Sequence, residues 1–352
     1  MNTQNSESQG TMRHALVEPN KGIRLETVPL PQPNDGGAIV RSTLAGICGS
    51  DLHAVEGKHP FLTGPYVPGH EAVGVVEGVP SGAGDIEPGM RVLLKPNVSC
   101  GDCLNCHEGR SNACQNLQWI GCDSTRVLSG AMAGRFVAPV RNLFRVPDSM
   151  SDETAVLVEC LATPVHAARI AGDLSGKRVA VLGAGTIGLL CVIAALDAGA
   201  ETVVVTDVEQ EKIARALRCG AAGGVIGTDV DAGEKIRSAL AGPADVVFDC
   251  VANERSIEQA IGIVRRAATI LVVGVPAQAQ NVNLPLIQDW EIRLQGCAAY
   301  TEEDIEHSIR IAESGGLPTS ELVQSTYMLE NVSEAFSAAQ EPNAGKILVR
   351  CS

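Results

Sequence analysis

Aromatic side chains are nearly missing from this chain: five Phe, three Tyr and two Trp stand among 352 residues. A core of this size must then be filled by Val, Ile, Leu and Ala, and with 37 Gly and 18 Pro the composition describes a turn-rich α/β protein rather than a disordered one. Positive charge is also in short supply. With 27 Lys and Arg against 41 Asp and Glu the net charge is −14, and no run of like charge forms a tail or a basic patch, so neither nucleic acid nor an anionic membrane is an expected partner. Nor does an apolar run read as a membrane span. Val179 to Leu196 is uncharged and reaches the lower limit of length, but Gly183, Gly185 and Gly188 interrupt its first half, which makes it strand, turn and helix. Met1 to Gly10 has no basic segment followed by an apolar one. Nothing there directs export, residues 1–10 read as a disordered leader, and the expected compartment is the cytoplasm.

What the chain does have is cysteine, 12 in all. Without an export signal these do not read as a disulfide framework, because the cytoplasm keeps thiols reduced; metal binding is the first explanation for clustered ones. Cys191, Cys219, Cys250, Cys297 and Cys351 stand singly in apolar surroundings and are assigned no chemistry. Cys100, Cys103, Cys106 and Cys114 form a C-x2-C-x2-C-x7-C pattern in a loop with Gly101, Asp102 and Gly109. Four thiolates so close can surround a tetrahedral zinc, and such a closed site is structural; an iron–sulfur cluster and four unliganded thiols are the alternatives.

The length calls for two cores. Residues 11 to about 160 carry short β-branched runs such as Ala72 to Val79 and Met90 to Leu94, without long helical periodicity, and predict an irregular β domain. From about Lys177 apolar runs beginning at Val179, Val203, Val246 and Ile270 alternate with helical segments, which predicts a parallel sheet flanked by helices. After about Tyr300 come an acidic helix, a break at Gly315 and Gly316, and a final strand, Lys346 to Arg350, that the sequence attaches to neither domain.

Gly183-Ala-Gly-Thr-Ile-Gly188 follows one of these strands and opens a helix running from Thr186 to about Asp197, the setting a dinucleotide-binding loop requires. Gly183, Gly185 and Gly188 let the backbone turn and approach a pyrophosphate, while the main chain at Thr186 and Ile187 offers it a helix N-terminus. The next strand ends at Asp207. A carboxylate there accepts hydrogen bonds from both adenosine ribose hydroxyls and repels a 2′-phosphate, which favours NAD over NADP. Lys212 reaches the same ribose or is a solvated helix lysine. Val273 and Val275, at the end of the strand that begins at Ile270, are further cofactor-binding candidates.

Cys48-Gly-Ser-Asp-Leu-His53 lies in a glycine-rich, apolar context, and Gly69-His70-Glu71 follows a proline-bearing loop. One Cys, one His and a carboxylate are a borderline-soft set suited to zinc with an open position. Taken singly, Cys48 reads as packing and His70 as a satisfied polar group; the combination carries the metal reading.

G-I-C-G-S-D-L-H at 46–53, P-G-H-E at 68–71, the cysteine lobe, V-E-C-L-A-T-P-V-H-A at 158–167 and G-A-G-T-I-G at 183–188 together resemble the zinc-containing medium-chain dehydrogenases, nearest their sorbitol and polyol branch. The resemblance implies a GroES-like catalytic domain formed by residues 11–161 and 300–352, with a structural zinc lobe at about 97–117, and a Rossmann domain at 162–299. It implies two zincs and NAD, a cleft active site, and a homo-oligomer, dimer or tetramer. Cys48 and His70 are implied as catalytic zinc ligands, with Glu71 and Glu159 coordinating directly or through water. Cys160 competes for that place, because the alcohol dehydrogenase branch has a cysteine ligand in this segment. Asp51 resembles the acid that orients the ligand histidine, Ser50 the hydroxyl bound to the substrate oxygen, and His53 the outer end of a proton relay. The implied reaction is hydride transfer between NAD and a secondary alcohol or polyol.

Three places depart from the polyol pattern. Ala299 stands where polyol dehydrogenases tend to carry arginine before the tyrosine at 300, Ala54 is small where an aromatic is frequent, and Asp123-Ser-Thr-Arg-Val-Leu128 is inserted between Trp119 and Phe136. A threonine, amino-alcohol or small-diol dehydrogenase, an NADPH reductase, and a non-catalytic zinc and NAD sensor are the competing readings.

Overall fold

The computed structural model describes residues 10–32 and 36–352. All of the expected leader except Gly10 lies outside the described residues. Among these residues two sheets organise the chain. In the first, six parallel strands lie in the order Gly223–Ile226, Thr202–Asp207, Arg178–Leu182, Ala244–Asp249, Val264–Val272 and Arg293–Gly296. Numbered along the chain that order is 3-2-1-4-5-6, the doubly wound dinucleotide-binding arrangement, whose ligand crevice opens at the carboxyl ends of its strands. Val179, Val181, Val203, Val205, Val246 and Phe248 are all buried, because helices cover both faces. The stretch Val179 to Leu196 resolves into a strand, a turn and the helix Thr186–Asp197.

The second sheet runs Val323–Met328, Lys346–Arg350, Gly37–Gly46, Glu71–Gly78, Arg91–Leu94 and Leu143–Arg145, with Arg135–Pro139 also paired to Gly37–Gly46. Here the last strand finds its place: Leu348 pairs with Gly46 and Arg350 with Leu44, so residues more than 300 apart share one sheet. A hairpin of Thr11–Glu18 and Gly22–Pro29 completes this half.

The two sheets meet across the helix Asp152–Ala171. Its Leu157, Leu161 and Val165 belong to one core cluster with Leu44, Val73 and Leu93 of the second sheet and Val179, Val181 and Phe248 of the first. This helix begins inside the region expected to lack long helices. It is apolar on nearly every side, with 13 buried residues, so it carries none of the polar-to-apolar alternation that marks a surface helix. It is also the one described helix long and apolar enough to cross a membrane, and 72% of the qualifying window is buried within this fold.

Candidate active site and metal centres

Cys48 caps the short helix Gly49–Val55, and its N–H donates to Asp51 Oδ2 at 3.1 Å. Gly46, two residues earlier, sits opposite Glu71 in the sheet; a Cβ there would fall 2.0 Å from Glu71 Oε2, so only glycine lets the carboxylate in. His70 and Glu71 enter from the start of the strand Glu71–Gly78. The ligand atoms of Cys48, His70 and Glu71 lie within 4.8 Å of one another, and those of Glu71, Glu159 and Cys160 do so as well. Glu71 thus joins a thiol–imidazole pair to two groups on the helix Asp152–Ala171, which answers the expectation for Cys48, His70, Glu71 and Glu159 with two overlapping sets.

Each carboxylate has its own partner. Lys346 Nζ donates to both oxygens of Glu71, at 2.6 and 2.8 Å, and to the Ile47 carbonyl at 3.1 Å. Tyr300 OH donates to Glu159 Oε1 at 2.6 Å, and Tyr66 OH to Asp51 Oδ1 at 2.8 Å. Two of the three tyrosines therefore serve buried acids of this cluster. Asp51, expected to orient His70, accepts from Tyr66 and from the Cys48 main chain, and burial raises its carboxyl against the downward pull of the His70 charge. The group within hydrogen-bond distance of the His70 ring is Cys122 Sγ, 3.5 Å from Nδ1. Ser50 is half-buried and His53 exposed on the same short helix.

Burial pushes the Glu159 carboxyl up to about 7, against the pull of His70. Burial likewise raises Cys160 and Asp51. At Glu71 burial is outweighed by Lys346 and His70, which hold the carboxyl below its ordinary value. A thiol, an imidazole and carboxylates gathered out of water, several resisting ionisation, are a donor set that a divalent cation would satisfy. The residues fit zinc.

In the lobe, Cys103 and Cys106 sulfurs are 3.5 Å apart, Cys100 and Cys114 3.4 Å, and Cys103 and Cys114 3.9 Å. Tetrahedral zinc with bonds of about 2.3 Å separates its sulfurs by about 3.8 Å, so the four thiols are already near coordination geometry. The Asp102 N–H, ahead of Cys114, draws the Cys100 thiol down to about 6, while burial pushes Cys106 up to about 11. The lobe is also tied to the rest. Asn112 donates to the Ala298 carbonyl at 3.0 Å and lies 3.2 Å from His166 Nε2; His166 Nδ1 meets Asp304 at 2.8 Å, and Asn97 donates to the Tyr300 carbonyl at 2.7 Å.

The glycine loop has the expected shape. Gly183 takes φ +92°, and a Cβ on Gly188 would fall 1.8 Å from the Gly183 carbonyl oxygen, so the first turn of the helix presses directly on the loop. Gly185 caps that helix, followed by Thr186 and Ile187, with no side chain covering its N–H groups. Asp207 accepts from Ala184 N at 2.8 Å and Glu209 N at 3.0 Å and lines a cavity of about 380 Å³ with Gly183, Lys212, Thr228, Val251 and Arg255. Lys212 and Asp207 therefore share one cavity. Val273 is packed into the core and Val275 is exposed beyond it.

Sequence reasoning passed over Tyr66, Lys346, Cys122 and Arg255. The scarcity of tyrosine and the place of Lys346 at the head of the apolar run Ile347 to Val349 were the available signals.

Residues 34–148 match the alcohol dehydrogenase GroES-like domain and residues 186–314 the zinc-binding dehydrogenase domain. A sorbitol dehydrogenase of Bacillus subtilis (strain 168) is 32% identical over 333 residues, 93% of each chain. The chain belongs to the zinc-containing medium-chain alcohol and polyol dehydrogenases. Among solved structures, a zinc-binding dehydrogenase from Sinorhizobium meliloti 1021 bound to NADP matches with a TM-score of 0.89 at 29% identity, over 97% of this chain and 100% of that one. An alcohol dehydrogenase from E. coli CFT073 complexed with NADH matches with a TM-score of 0.88 at 25% identity, over 97% and 99%. The dehydrogenase is accordingly a zinc-dependent oxidoreductase of alcohols or polyols that works with a nicotinamide cofactor, built from a GroES-like half and a Rossmann half.

Proposed function

We propose that this dehydrogenase converts a secondary alcohol or polyol to its ketone with NAD, reversibly, at the buried Cys48–His70–Glu71–Glu159 cluster. The observation that carries the reading is the convergence of a thiol, an imidazole and two carboxylates from three separate places in the chain. The catalytic half is taken as residues 11–161 and 300–352, the cofactor half as 162–299. Zinc held by Cys48, His70 and a carboxylate supplies a Lewis acid for the substrate oxygen, and NAD on the glycine loop supplies the hydride acceptor.

Lys346 grips both Glu71 oxygens, whereas Tyr300 is the only described partner of Glu159, so Glu159 is the carboxylate with a donor oxygen to spare. Ser50 and His53 stand three residues apart on one helix and so share a face, one half-buried and one exposed. Ser50 Oγ accepts the proton of the substrate hydroxyl as it releases its own toward His53, which passes a proton to solvent. Asp207, fixed by two main-chain N–H groups, presents a charge that receives ribose hydroxyls and rejects a 2′-phosphate. An Asp207→Ser protein should use NADP better relative to NAD than its parent; a parent that already prefers NADP would overturn this part.

Ala54 and Ala299 bring no hydrogen-bond donor, and Ala299 is held at φ +54° between carbonyls bound by Asn112 and Asn97, so sorbitol itself is not favoured over smaller secondary alcohols and diols. The deciding assay is NADH formation at 340 nm with polyols, diols, simple secondary alcohols and threonine, with and without a zinc chelator. Chelator-sensitive turnover of secondary alcohols or polyols is expected; turnover confined to threonine would sink the reading. Homo-oligomeric assembly and residence in the cytoplasm belong to the same proposal, with sedimentation velocity and cell fractionation as their tests.

A further inference from the structure

The segment 119–132 encloses His70 at main-chain distance. Trp119 meets the imidazole edge-on, with ring centres 6.5 Å apart at 81°. Gly121, at φ +81°, leaves so little clearance that a Cβ would lie 2.9 Å from the His70 backbone nitrogen, and a Cβ on Gly69 would lie 2.4 Å from that of Met132. Hydrogen bonds from Gly130 N to Val67 O at 3.0 Å, Ala131 N to Gly69 O at 2.9 Å and Met132 N to Pro68 O at 3.0 Å lock the two segments together. Cys122 follows Gly121, and its sulfur is the only side-chain atom described at hydrogen-bond distance from the His70 ring, 3.5 Å from Nδ1. Asp51, whose oxygens accept from Tyr66 and the Cys48 N–H, makes no described hydrogen bond to that ring.

A histidine that binds a metal through one ring nitrogen needs the other held, or its tautomer and orientation drift; a carboxylate or carbonyl ordinarily does this and raises the basicity of the ligand. We propose that Cys122 is the positioning residue for His70, its sulfur accepting the Nδ1 proton and leaving Nε2 for the zinc. The inference rests on the reading of Cys48 and His70 as zinc ligands. Because sulfur is a weaker acceptor than a carboxylate, the imidazole donates less charge to the metal, and retention of that zinc depends on the 119–132 segment.

The test compares zinc retained per subunit against increasing EDTA in the purified holoenzyme, in Cys122→Ala, in Cys122→Ser and in Asp51→Asn. Lobe zinc and NADH binding by fluorescence serve as internal controls. Cys122→Ala should release one zinc at a chelator concentration about 10- to 100-fold lower than the parent. Its lobe zinc and NADH binding should be unchanged. Cys122→Ser, which keeps a small hydrogen-bond acceptor, should return most of the way, and Asp51→Asn should shift the midpoint less than Cys122→Ala. A parent-like Cys122→Ala midpoint overturns the proposal, as does a serine variant no better than alanine, which would make Cys122 a ligand or a filler. If Cys122→Ala misfolds and loses NADH binding, the serine variant decides by the same criterion. A parent holding only the lobe zinc overturns the site reading itself; a parent holding two with an unmoved variant overturns Cys122 alone.

Discussion

In the cysteine lobe all four sulfurs come from residues 100 to 114, stand 3.4 to 3.9 Å apart where they meet, and have main-chain N–H groups for company. The Cys48 cluster takes a helix cap, the start of a strand, the middle of a long helix and, behind them, Tyr66, Cys122, Tyr300 and Lys346. The lobe is self-contained and closed, which suits a metal that only holds structure. The second cluster is assembled by the fold, and its imidazole and both its carboxylates are met by a residue from elsewhere, which is what an open catalytic position demands. Damage should therefore stay local in the lobe and spread in the cluster.

The widest separation is expected from Cys48→Ala. Removing a ligand from the open site should cut alcohol oxidation on the order of a thousandfold or more, since Lewis-acid assistance is worth several kcal/mol. The lobe zinc should stay, and metal counting beside the 340 nm assay checks both; loss of two zincs together would break the contrast. Next in size is Lys346→Met. It strands Glu71 as a buried unpaired carboxylate, at a cost of about 3–5 kcal/mol in urea unfolding. Adding Glu71→Gln should recover much of that, and a double variant as weak as the single one would show that the pair is not the cause.

Cys106→Ala should lose one zinc and lower the melting temperature by about 5–10 °C, the equivalent of a few kcal/mol. Turnover at low temperature should fall far less than in Cys48→Ala; an equal fall would mean that the lobe acts on the chemistry through Asn112 and Asn97. The smallest effect belongs to Asp304→Asn, at the joint between lobe and helix. Burial pushes the Asp304 carboxyl up, but hydrogen bonds from His166, Arg169 and the Thr301 main chain outweigh it and hold it far below its ordinary value. A depressed carboxylate stabilises the fold above its unfolded pKa of about 3.9 and loses that contribution as pH falls toward its folded value. The parent should exceed the variant by about 1–3 kcal/mol above roughly pH 5, and the gap should narrow below about pH 4. A gap independent of pH would assign the effect to packing.

The parallel strands were legible because both faces are buried: runs starting at Val179, Val203 and Val246 begin one residue inside Arg178–Leu182, one inside Thr202–Asp207 and two inside Ala244–Asp249. The helix Asp152–Ala171 was not, since a helix buried on nearly all sides has no polar stripe to announce it. The partners of the metal ligands were equally hidden. Cys122 was one thiol among 12 and Lys346 one cation among 27, and nothing in their neighbours points to His70 or Glu71.

By itself the sequence determined the features whose atoms are neighbours along the chain. The cysteine spacing brings four sulfurs to one point with only short loops to close, and the glycine spacing at 183–188 fits a strand to a helix where a Cβ would collide. Tertiary structure alone decided that Lys346 reaches Glu71 across 275 residues, that Tyr300 reaches Glu159 across 141, and that Cys122 comes within 3.5 Å of His70 Nδ1. Those contacts follow from sheet pairing and the packing of one helix between two sheets, and no local propensity encodes which distant groups such packing brings within hydrogen-bond range.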